Sequence, residues 1–225
     1  MRHVSDLPTP ALLLDLEVLR ENLARMAGRC RSLGIALRPH FKTPKCVEVA
    51  RLQRELGAVG FTVSTLDEAR VLLDHGFDDL TWAFPVIPSR LSEARELAER
   101  GRLRLTVDSP EAVAALEASG HPFHVWLEVD CGGHRSGVDP RSDRALDLAR
   151  RLASLRTLSF DGILTHSGHA YQARGRAELE RVLETERRTM VELAERLGSA
   201  GIEVEGVSIG STPAMSVAES LPGVT

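Results

Sequence analysis

Short apolar runs and amphipathic charged stretches alternate along most of this chain, which is typical of strands followed by helices. The predicted strands are residues 11–14, 35–39, 59–63, 80–84, 103–107, 124–129, 160–164 and 207–209. The predicted helices are residues 17–33, 46–56, 66–74, 88–100, 110–118, 143–155 and 176–197. Each helix has apolar residues at helical spacing, with Arg and Glu on the other face. After the opening strand, this βα alternation predicts a parallel sheet with right-handed crossovers.

Polar residues that could carry chemistry follow five of the predicted strands, as expected for a closed barrel. They are His40 and Lys42, Ser64 and Thr65, residues 130–135, residues 166–171, and residues 210–212. A (β/α)8 barrel gathers active residues at the carboxyl ends of many strands, whereas a doubly wound sheet concentrates them at one crevice. No GxGxxG motif follows any strand. The fold class we predict is therefore α/β, a (β/α)8 TIM-type barrel.

The barrel predicted from these elements is incomplete. The seventh barrel strand ends at residue 209, and the 225-residue sequence ends sixteen residues later, without an eighth strand and helix. Seven parallel strands would leave two unpaired edges. We therefore expect a fragment of a longer protein, or a wall supplied by a partner. As one domain, residues 1–225 would comprise an N-terminal strand and helix, 1–33, and the incomplete barrel, 34–225.

Composition narrows the function classes. With 43% hydrophobic residues and a net charge of −4, the chain can bury a core and has no basic excess that would indicate nucleic-acid binding. No apolar run approaches the roughly 20 residues of a membrane span, and no signal-peptide pattern opens the chain, so a cytoplasmic location is predicted. The three cysteines are widely spaced without a CxxC pair, which predicts free thiols rather than disulfides or a cysteine-rich metal site.

The chain has only two lysines, Lys42 and Lys45, among 28 Lys and Arg residues. Arginine stays protonated and cannot act as a nucleophilic amine, so a retained lysine suggests chemistry. Lys42 follows strand 35–39, whereas Thr43 is predicted to cap the next helix and place Lys45 on it. In a barrel mouth, Lys42 would be partly desolvated, with a lowered pKa, and could form a Schiff base with a substrate or with pyridoxal 5′-phosphate.

Two glycine-containing loops could complete such a site. In "SIGSTPA", Gly210, Ser211 and Thr212 follow the last strand, where barrels commonly bind phosphate, although an ordinary N-capped turn has the same pattern. In "EVDCGGHRSGV", the glycines would carry Arg135 towards the mouth. Arg135 could donate hydrogen bonds to an aromatic oxyanion, or it could form a salt bridge with Asp130.

The stretch "LTHSGHAY" places His166, His169 and Tyr171 just after a strand. Two histidines are too few to specify a metal site, so contacts with a planar cofactor or plain loop roles are the alternatives. His121 and His124 lie at the amino end of a strand, and we interpret them as structural.

The motifs "RPHFKT", "EVDCGGHRSGV", "GILTHSGHAY" and "SIGSTPAM", in this order, resemble the D-threonine aldolase and D-serine dehydratase family, whose barrel is alanine-racemase-like. The opening "DLPTPALLLDLEVLRENLARM" resembles the start of these chains. The resemblance implies that Lys42 carries pyridoxal 5′-phosphate as an internal aldimine. The other cofactor-binding residues it implies are His40, Arg135 beside the phenolic oxygen, His166 and Tyr171 along the ring and the phosphate side, and the phosphate loop Gly210, Ser211 and Thr212.

Complete members of that family continue into an eighth strand and a β-rich C-terminal domain. That domain pairs with the opening strand, contributes to a homodimer and carries a His plus Asp or Cys pair for a divalent metal. The resemblance thus implies a divalent metal whose ligands are absent from these 225 residues, so metal-assisted catalysis would require ligands that these residues do not supply.

The implied substrate is a small D-β-hydroxy amino acid. An aldolase cleaves Cα–Cβ to give glycine and an aldehyde, whereas a dehydratase removes the Cα proton and eliminates hydroxide. These residues do not separate the two reactions. A racemase of the same fold, a non-catalytic pyridoxal-phosphate-binding protein, and an α/β domain without cofactor remain as alternatives.

Overall fold

Six parallel strands pair in the order in which they occur along the chain. The computed structural model describes residues 3–225. The strands are β1 Phe61–Val63, β2 Asp79–Pro85, β3 Arg102–Val107, β4 His124–Glu128, β5 Ser159–Leu164 and β6 Gly206–Ser208. A doubly wound sheet would reverse its strand order at a switch point, and this sheet does not. The α/β prediction with a barrel-type order is confirmed, as a curled half barrel rather than a closed eight-stranded one.

The helices lie within two residues of their predicted ends, with one exception. They are α1 Leu16–Leu33, α2 Val47–Glu55, α3 Leu66–Asp74, α4 Leu91–Ala98, α5 Pro110–Ser119, α6 Asp143–Ser154, α7 Arg176–Ser199 and the short α8 Thr212–Ser216. The predicted helix 88–100 is divided into a 3-10 turn, Pro88–Arg90, and α4. Hydroxyl caps fix several starts: Thr65, Ser109 and Ser142 each accept a backbone N–H from the first turn of α3, α5 and α6.

The predicted strand 35–39 lies beside β1 without forming a regular strand. Val59 N–H donates to Leu37 O at 3.0 Å, and Thr62 N–H donates to Pro39 O at 2.8 Å. Pro39 has no N–H to return, so the ladder is interrupted. A single bridge from His40 to Thr62 then brings the chain to the carboxyl edge of the sheet.

The predicted opening strand, 11–14, is wrong. These residues have no regular secondary structure, and no strand among residues 3–225 pairs with them. Leu12 is fully exposed, and Leu13 and Leu14 are more than half exposed. A strand needs a neighbour for its backbone hydrogen bonds, and the described residues do not provide one here.

A network of alternating charges joins the sheet near the amino ends of its strands. Arg38 and Arg104 both contact Asp79 Oδ1 at 2.5 Å, and Arg104 Nε donates to Asp161 Oδ2 at 2.7 Å. Asp161 Oδ1 also lies 2.8 Å from His124 Nδ1. Burial would raise the pKa of Asp79, but the charges and hydrogen bonds of Arg38 and Arg104 outweigh it, so the pKa is lowered. This network agrees with the structural role predicted for His124.

The described cysteines are free, with Cys30 and Cys131 buried and Cys46 half-buried. Within residues 3–225, none of the helices combines the length and apolar character that a bilayer span requires.

Candidate active site

The carboxyl edge of the sheet is where the predicted site residues lie. Lys42 is in a turn directly after the bridge residue His40. The other predicted residues follow three further strands: Arg135 follows β4, His166 and Tyr171 follow β5, and Gly210, Ser211 and Thr212 follow β6.

The Lys42 turn is anchored by its buried neighbour Phe41, whose N–H donates to Thr62 O at 2.8 Å. Lys42 N–H donates to His40 Nδ1 at 3.3 Å. The Lys42 side chain is exposed, so the expected partial desolvation is not met in this structure. Among residues 3–225 no carboxylate forms an ion pair with Lys42, which leaves its amine free for another partner.

Lys45 does not lie on a helix, and the predicted Thr43 cap is wrong. Helix α2 begins at Val47 with Cys46 as its N-cap, and Lys45 has a positive φ of 42°. Lys45 Nζ lies 3.2 Å from Glu68 Oε1, a buried carboxylate that also accepts the Ser64 N–H at 2.8 Å. The two lysines are therefore separated in function, because Lys45 neutralises a buried charge and Lys42 does not.

Four basic side chains, those of His40, Lys42, Arg135 and His166, follow strands at this edge of the sheet. Burial, followed by the charges of Lys42, His166 and Arg135, lowers the pKa of His40 to about 3. Burial likewise lowers the pKa of His166, with the charges of Lys42 and Arg135 contributing, against a hydrogen bond to Gly210 that raises it. Both imidazoles are therefore neutral at neutral pH, and the positive charge of the site comes from Lys42 and Arg135.

The hydrogen bonds fix the tautomers of these two histidines. His40 Nδ1 accepts a backbone N–H, so the ring proton is on Nε2, which lies 3.4 Å from Ser64 Oγ. His166 Nδ1 lies 3.2 Å from the carbonyl of Gly210, which can only accept, so Nδ1 carries the proton. His166 thus keeps an unprotonated Nε2 that can accept a hydrogen bond.

Asp130 fixes the loop that carries Arg135 by hydrogen bonds to Gly132 and His134, and not by contact with Arg135 itself. Its Oδ1 accepts the N–H groups of Gly132 at 2.8 Å and His134 at 3.0 Å, and its Oδ2 lies 2.8 Å from His134 Nδ1. The alternative salt bridge between Arg135 and Asp130 is not formed, and Arg135 has no ion pair among residues 3–225. The exposed Arg135 guanidinium is therefore available to an anion.

His169 and Tyr171 lie on the 3-10 turn Gly168–Gln172. A Cβ added at Gly132 would lie 3.8 Å from His169 Cε1, so the glycine turn after β4 packs on this ring. His169 Nδ1 is buried without a hydrogen-bond partner in the described chain. Tyr171 is 64% exposed. No three His, Cys, Asp or Glu side chains within residues 3–225 are grouped as a metal site.

The predicted phosphate loop forms the N-capped turn that was its alternative interpretation. Ser211 is buried and its Oγ accepts the Ala214 N–H at 3.4 Å. Gly210, with φ +120°, donates its N–H to Glu186 Oε1 at 3.2 Å. Of the three predicted residues, only Thr212 is exposed. An anion at this turn would therefore meet Thr212 before it met the Ser211 hydroxyl.

Glu186 was not among the residues predicted from the sequence. It is a fully buried carboxylate on α7 that contacts the loops after β5 and β6. A signal was present, because Glu186 falls on the helical stripe formed by Leu183, Met190 and Leu193, all of which are buried. A charged residue inside an apolar stripe indicates a buried partner.

A curled parallel sheet with Lys42, Arg135 and two neutral imidazoles at its carboxyl edge defines a barrel-type α/β protein. The model of one family, alanine racemase, N-terminal domain, matches residues 14–222. The chain belongs to that family, and the resemblance predicted from the motifs is confirmed.

Several curated relatives and solved structures are similar over almost the whole chain. D-threo-3-hydroxyaspartate dehydratase of Delftia sp. (strain HT23) is 42% identical over 224 residues, 97% of this chain and 59% of that protein. Its solved structure has a TM-score of 0.94 over 98% of this chain and 59% of that one. D-serine dehydratase of Dictyostelium discoideum is 32% identical, covering 95% of this chain and 58% of that protein.

A solved D-threonine aldolase from Filomicrobium marinum has a TM-score of 0.84 at 31% identity, over 95% of this chain and 59% of that one. One solved structure is that of a D-threo-3-hydroxyaspartate dehydratase variant in a metal-free form. This chain thus spans less than two thirds of the length of the relatives it matches.

Proposed function

We propose that this chain is the cofactor-binding part of a lyase that acts on small D-3-hydroxy amino acids and holds pyridoxal 5′-phosphate through Lys42. The observation that carries the proposal is the position of four side chains at one edge of the sheet: His40 and Lys42 follow the bridge to β1, Arg135 follows β4 and His166 follows β5. The similarity to two dehydratases and an aldolase of D-hydroxy amino acids supports the same class of reaction.

The residues of this edge fit the charge of the proposed cofactor. Pyridoxal phosphate presents a phosphate and a phenolic oxyanion, and the charges of Lys42 and Arg135 both contribute to the lowered pKa values of His40 and His166. The buried carboxyl group of Glu128 also interacts with the charge of Arg135. Lys42 has a primary amine without a carboxylate partner, which can bond covalently to an aldehyde. Arg135, equally unpaired among the described residues, can donate hydrogen bonds to the phenolic oxygen.

Other residues would complete the binding of the cofactor. His166, with its free Nε2, and Tyr171 would line the ring and the phosphate side, and the turn Gly210–Thr212 would lie beside the phosphate. When bound, the cofactor supplies an electron sink for charge that develops at the substrate's Cα. The side chains of this chain would bind and orient that group and attract the carboxylate of the amino acid.

Dehydration is the reaction we propose first, since the identity to the Delftia dehydratase is 42% and that to the Filomicrobium aldolase is 31%. The elimination of hydroxide needs help with the leaving group. A divalent metal would assist the departure of hydroxide, and we expect its ligands to lie outside these 225 residues.

The test is an absorbance titration of the purified chain with pyridoxal phosphate, followed by borohydride reduction and mass spectrometry of the labelled peptide. We expect a new visible band and a label on Lys42. Lys42→Ala should lose both, and the matched control Lys45→Ala should keep both. A label on Lys45, or an unchanged band in Lys42→Ala, would contradict the assignment.

Turnover is measured separately with D-threo-3-hydroxyaspartate, D-serine and D-threonine. Ammonia and a 2-oxo acid would identify a dehydratase, whereas glycine and an aldehyde would identify an aldolase. Cofactor binding without turnover of any of them would favour the non-catalytic binding protein.

A further inference from the structure

Glu186 is a charged residue in a place where an apolar one would be expected. It lies in the middle of α7 and is 0% exposed, between the buried residues Leu183 and Met190. Burial raises the pKa of this carboxyl group, against the hydrogen bonds that it accepts. Burying a carboxylate is costly unless donors surround it, so its partners indicate what it does.

All three donors to Glu186 belong to the two loops at the carboxyl edge of the sheet. Its Oε1 accepts the N–H of Ser167 at 3.1 Å and the N–H of Gly210 at 3.2 Å. Its Oε2 accepts the Ser167 hydroxyl at 2.9 Å. Ser167 directly follows His166, and Gly210 directly precedes Ser211. One carboxylate oxygen therefore bridges the loop after β5 and the loop after β6.

Two more contacts join the same loops. His166 Nδ1 donates to Gly210 O at 3.2 Å, and the hydroxyls of Ser167 and Ser211 lie 3.4 Å apart. Ser167 has one hydroxyl hydrogen, which it gives to Glu186, so in this second contact Ser211 is the donor. The tautomer of His166 and the direction of both hydroxyls follow from this arrangement.

We propose that Glu186 is a positioning residue for the phosphate side of the site. By accepting the N–H groups of Ser167 and Gly210 on one oxygen, Glu186 holds His166 and the Gly210–Thr212 turn at a fixed separation. The role in cofactor binding rests on the function proposed above, whereas the joining of the two loops does not. What matters is the reach of the side chain and an acceptor oxygen at its end, rather than its negative charge.

Two substitutions separate reach from charge. Glu186→Gln keeps the length and an oxygen that can accept both N–H groups, whereas Glu186→Asp keeps the charge but is shorter by one methylene. Glu195→Asp, at an exposed position of the same helix, is the matched control. Leu116→Ala, a fully buried position on α5, serves as a variant that is destabilised away from the site.

The first measurement is amide hydrogen exchange at Ser167 and Gly210 in the cofactor-free protein, followed by NMR. We expect exchange about tenfold faster or more at both amides in Glu186→Asp, since a hydrogen bond of ordinary strength is lost at each. Glu186→Gln and Glu195→Asp should exchange like the wild type. Wild-type exchange at both amides in Glu186→Asp, or faster exchange in Glu186→Gln than in Glu186→Asp, would overturn the proposal.

The second measurement is the dissociation constant of pyridoxal phosphate by absorbance titration. We expect roughly 10- to 100-fold weaker binding in Glu186→Asp, the size of effect found for residues that orient the ligands of a metal, and near wild-type binding in Glu186→Gln. Leu116→Ala should weaken cofactor binding less than Glu186→Asp when the two variants have the same melting temperature. Equal weakening would mean that Glu186 acts only through overall stability, and it would overturn the proposal. If the wild type binds no cofactor, the proposed function fails while the exchange result still decides whether Glu186 positions the loops.

Discussion

Replacing Asp161 by alanine removes a central member of the charge network that joins the strands. The Asp161 carboxylate accepts hydrogen bonds from Arg104 Nε at 2.7 Å and Ser159 Oγ at 2.9 Å, and it lies 2.8 Å from His124 Nδ1. Asp161 and Arg104 are each only 7% exposed. The variant leaves the buried Arg104 guanidinium with one carboxylate, Asp79, instead of two.

The expected decrease in the free energy of unfolding follows from the loss of this partner of Arg104. Removing one member of a buried ion pair costs about 3–5 kcal/mol, and we expect the lower end, about 3 kcal/mol, because Arg104 keeps Asp79. For a domain of this size, 1 kcal/mol shifts the melting temperature by roughly 2–4 °C, so Asp161→Ala should melt roughly 6–12 °C lower.

Urea unfolding followed by circular dichroism measures this free energy. The control is Asp147→Ala, which breaks an exposed ion pair to Arg150 at 3.0 Å and should change the free energy of unfolding by less than about 0.5 kcal/mol. A loss below about 1 kcal/mol in Asp161→Ala, or equal losses in both variants, would refute the reasoning that burial makes this network matter.

Three further predictions concern pH, packing and thiol reactivity. Burial lowers the pKa of His40 from 6.5 to about 3, so its contribution to stability is complete above pH 6.5 and is lost as the pH falls towards 3. In His40→Gln, the free energy of unfolding, measured by urea unfolding across this range, should depend less on pH. A Cβ at Gly206 would lie 2.3 Å from the indole of Trp126, so Gly206→Ala should cost about 1–3 kcal/mol in urea unfolding, whereas Gly198→Ala, with open space around it, should not destabilise. Burial raises the pKa of Cys131 to about 11, so iodoacetamide at pH 8 should label it far more slowly in the folded chain than in urea, and equal rates would contradict its burial.

Much of the fold could be predicted because apolar runs and helical stripes report burial directly. Helix α3 has its predicted bounds, and β3 differs by one residue. Strand 35–39 was less regular than predicted, because its apolar residues indicate burial but Pro39 cannot complete a ladder. The apolar segment 11–14 has strand-like composition, yet composition cannot supply the neighbouring chain that a strand requires.

The site was predictable to the level of strand ends and no further. Parallel strands bring their carboxyl ends to one edge, so His40, Arg135 and His166 could be placed together from the sequence. What each polar atom binds depends on long-range contacts that spacing does not encode. The pairing of Lys45 with Glu68 and the capture of the Gly210 N–H by Glu186 are both of this kind.

The consecutive strand order also has a consequence for how the chain folds. Phe61 pairs with Leu80, 19 positions later, whereas Ile163 pairs with Val207, 44 positions later, so the last crossover closes a loop more than twice as long as the first. Closing longer loops costs more entropy, and contacts between near neighbours form faster. On a ribosome, each βα unit could dock on the unit made before it, starting from the N-terminal strands. The turn at Gly210, tied by Glu186 to the last large helix, would then be among the final parts to form.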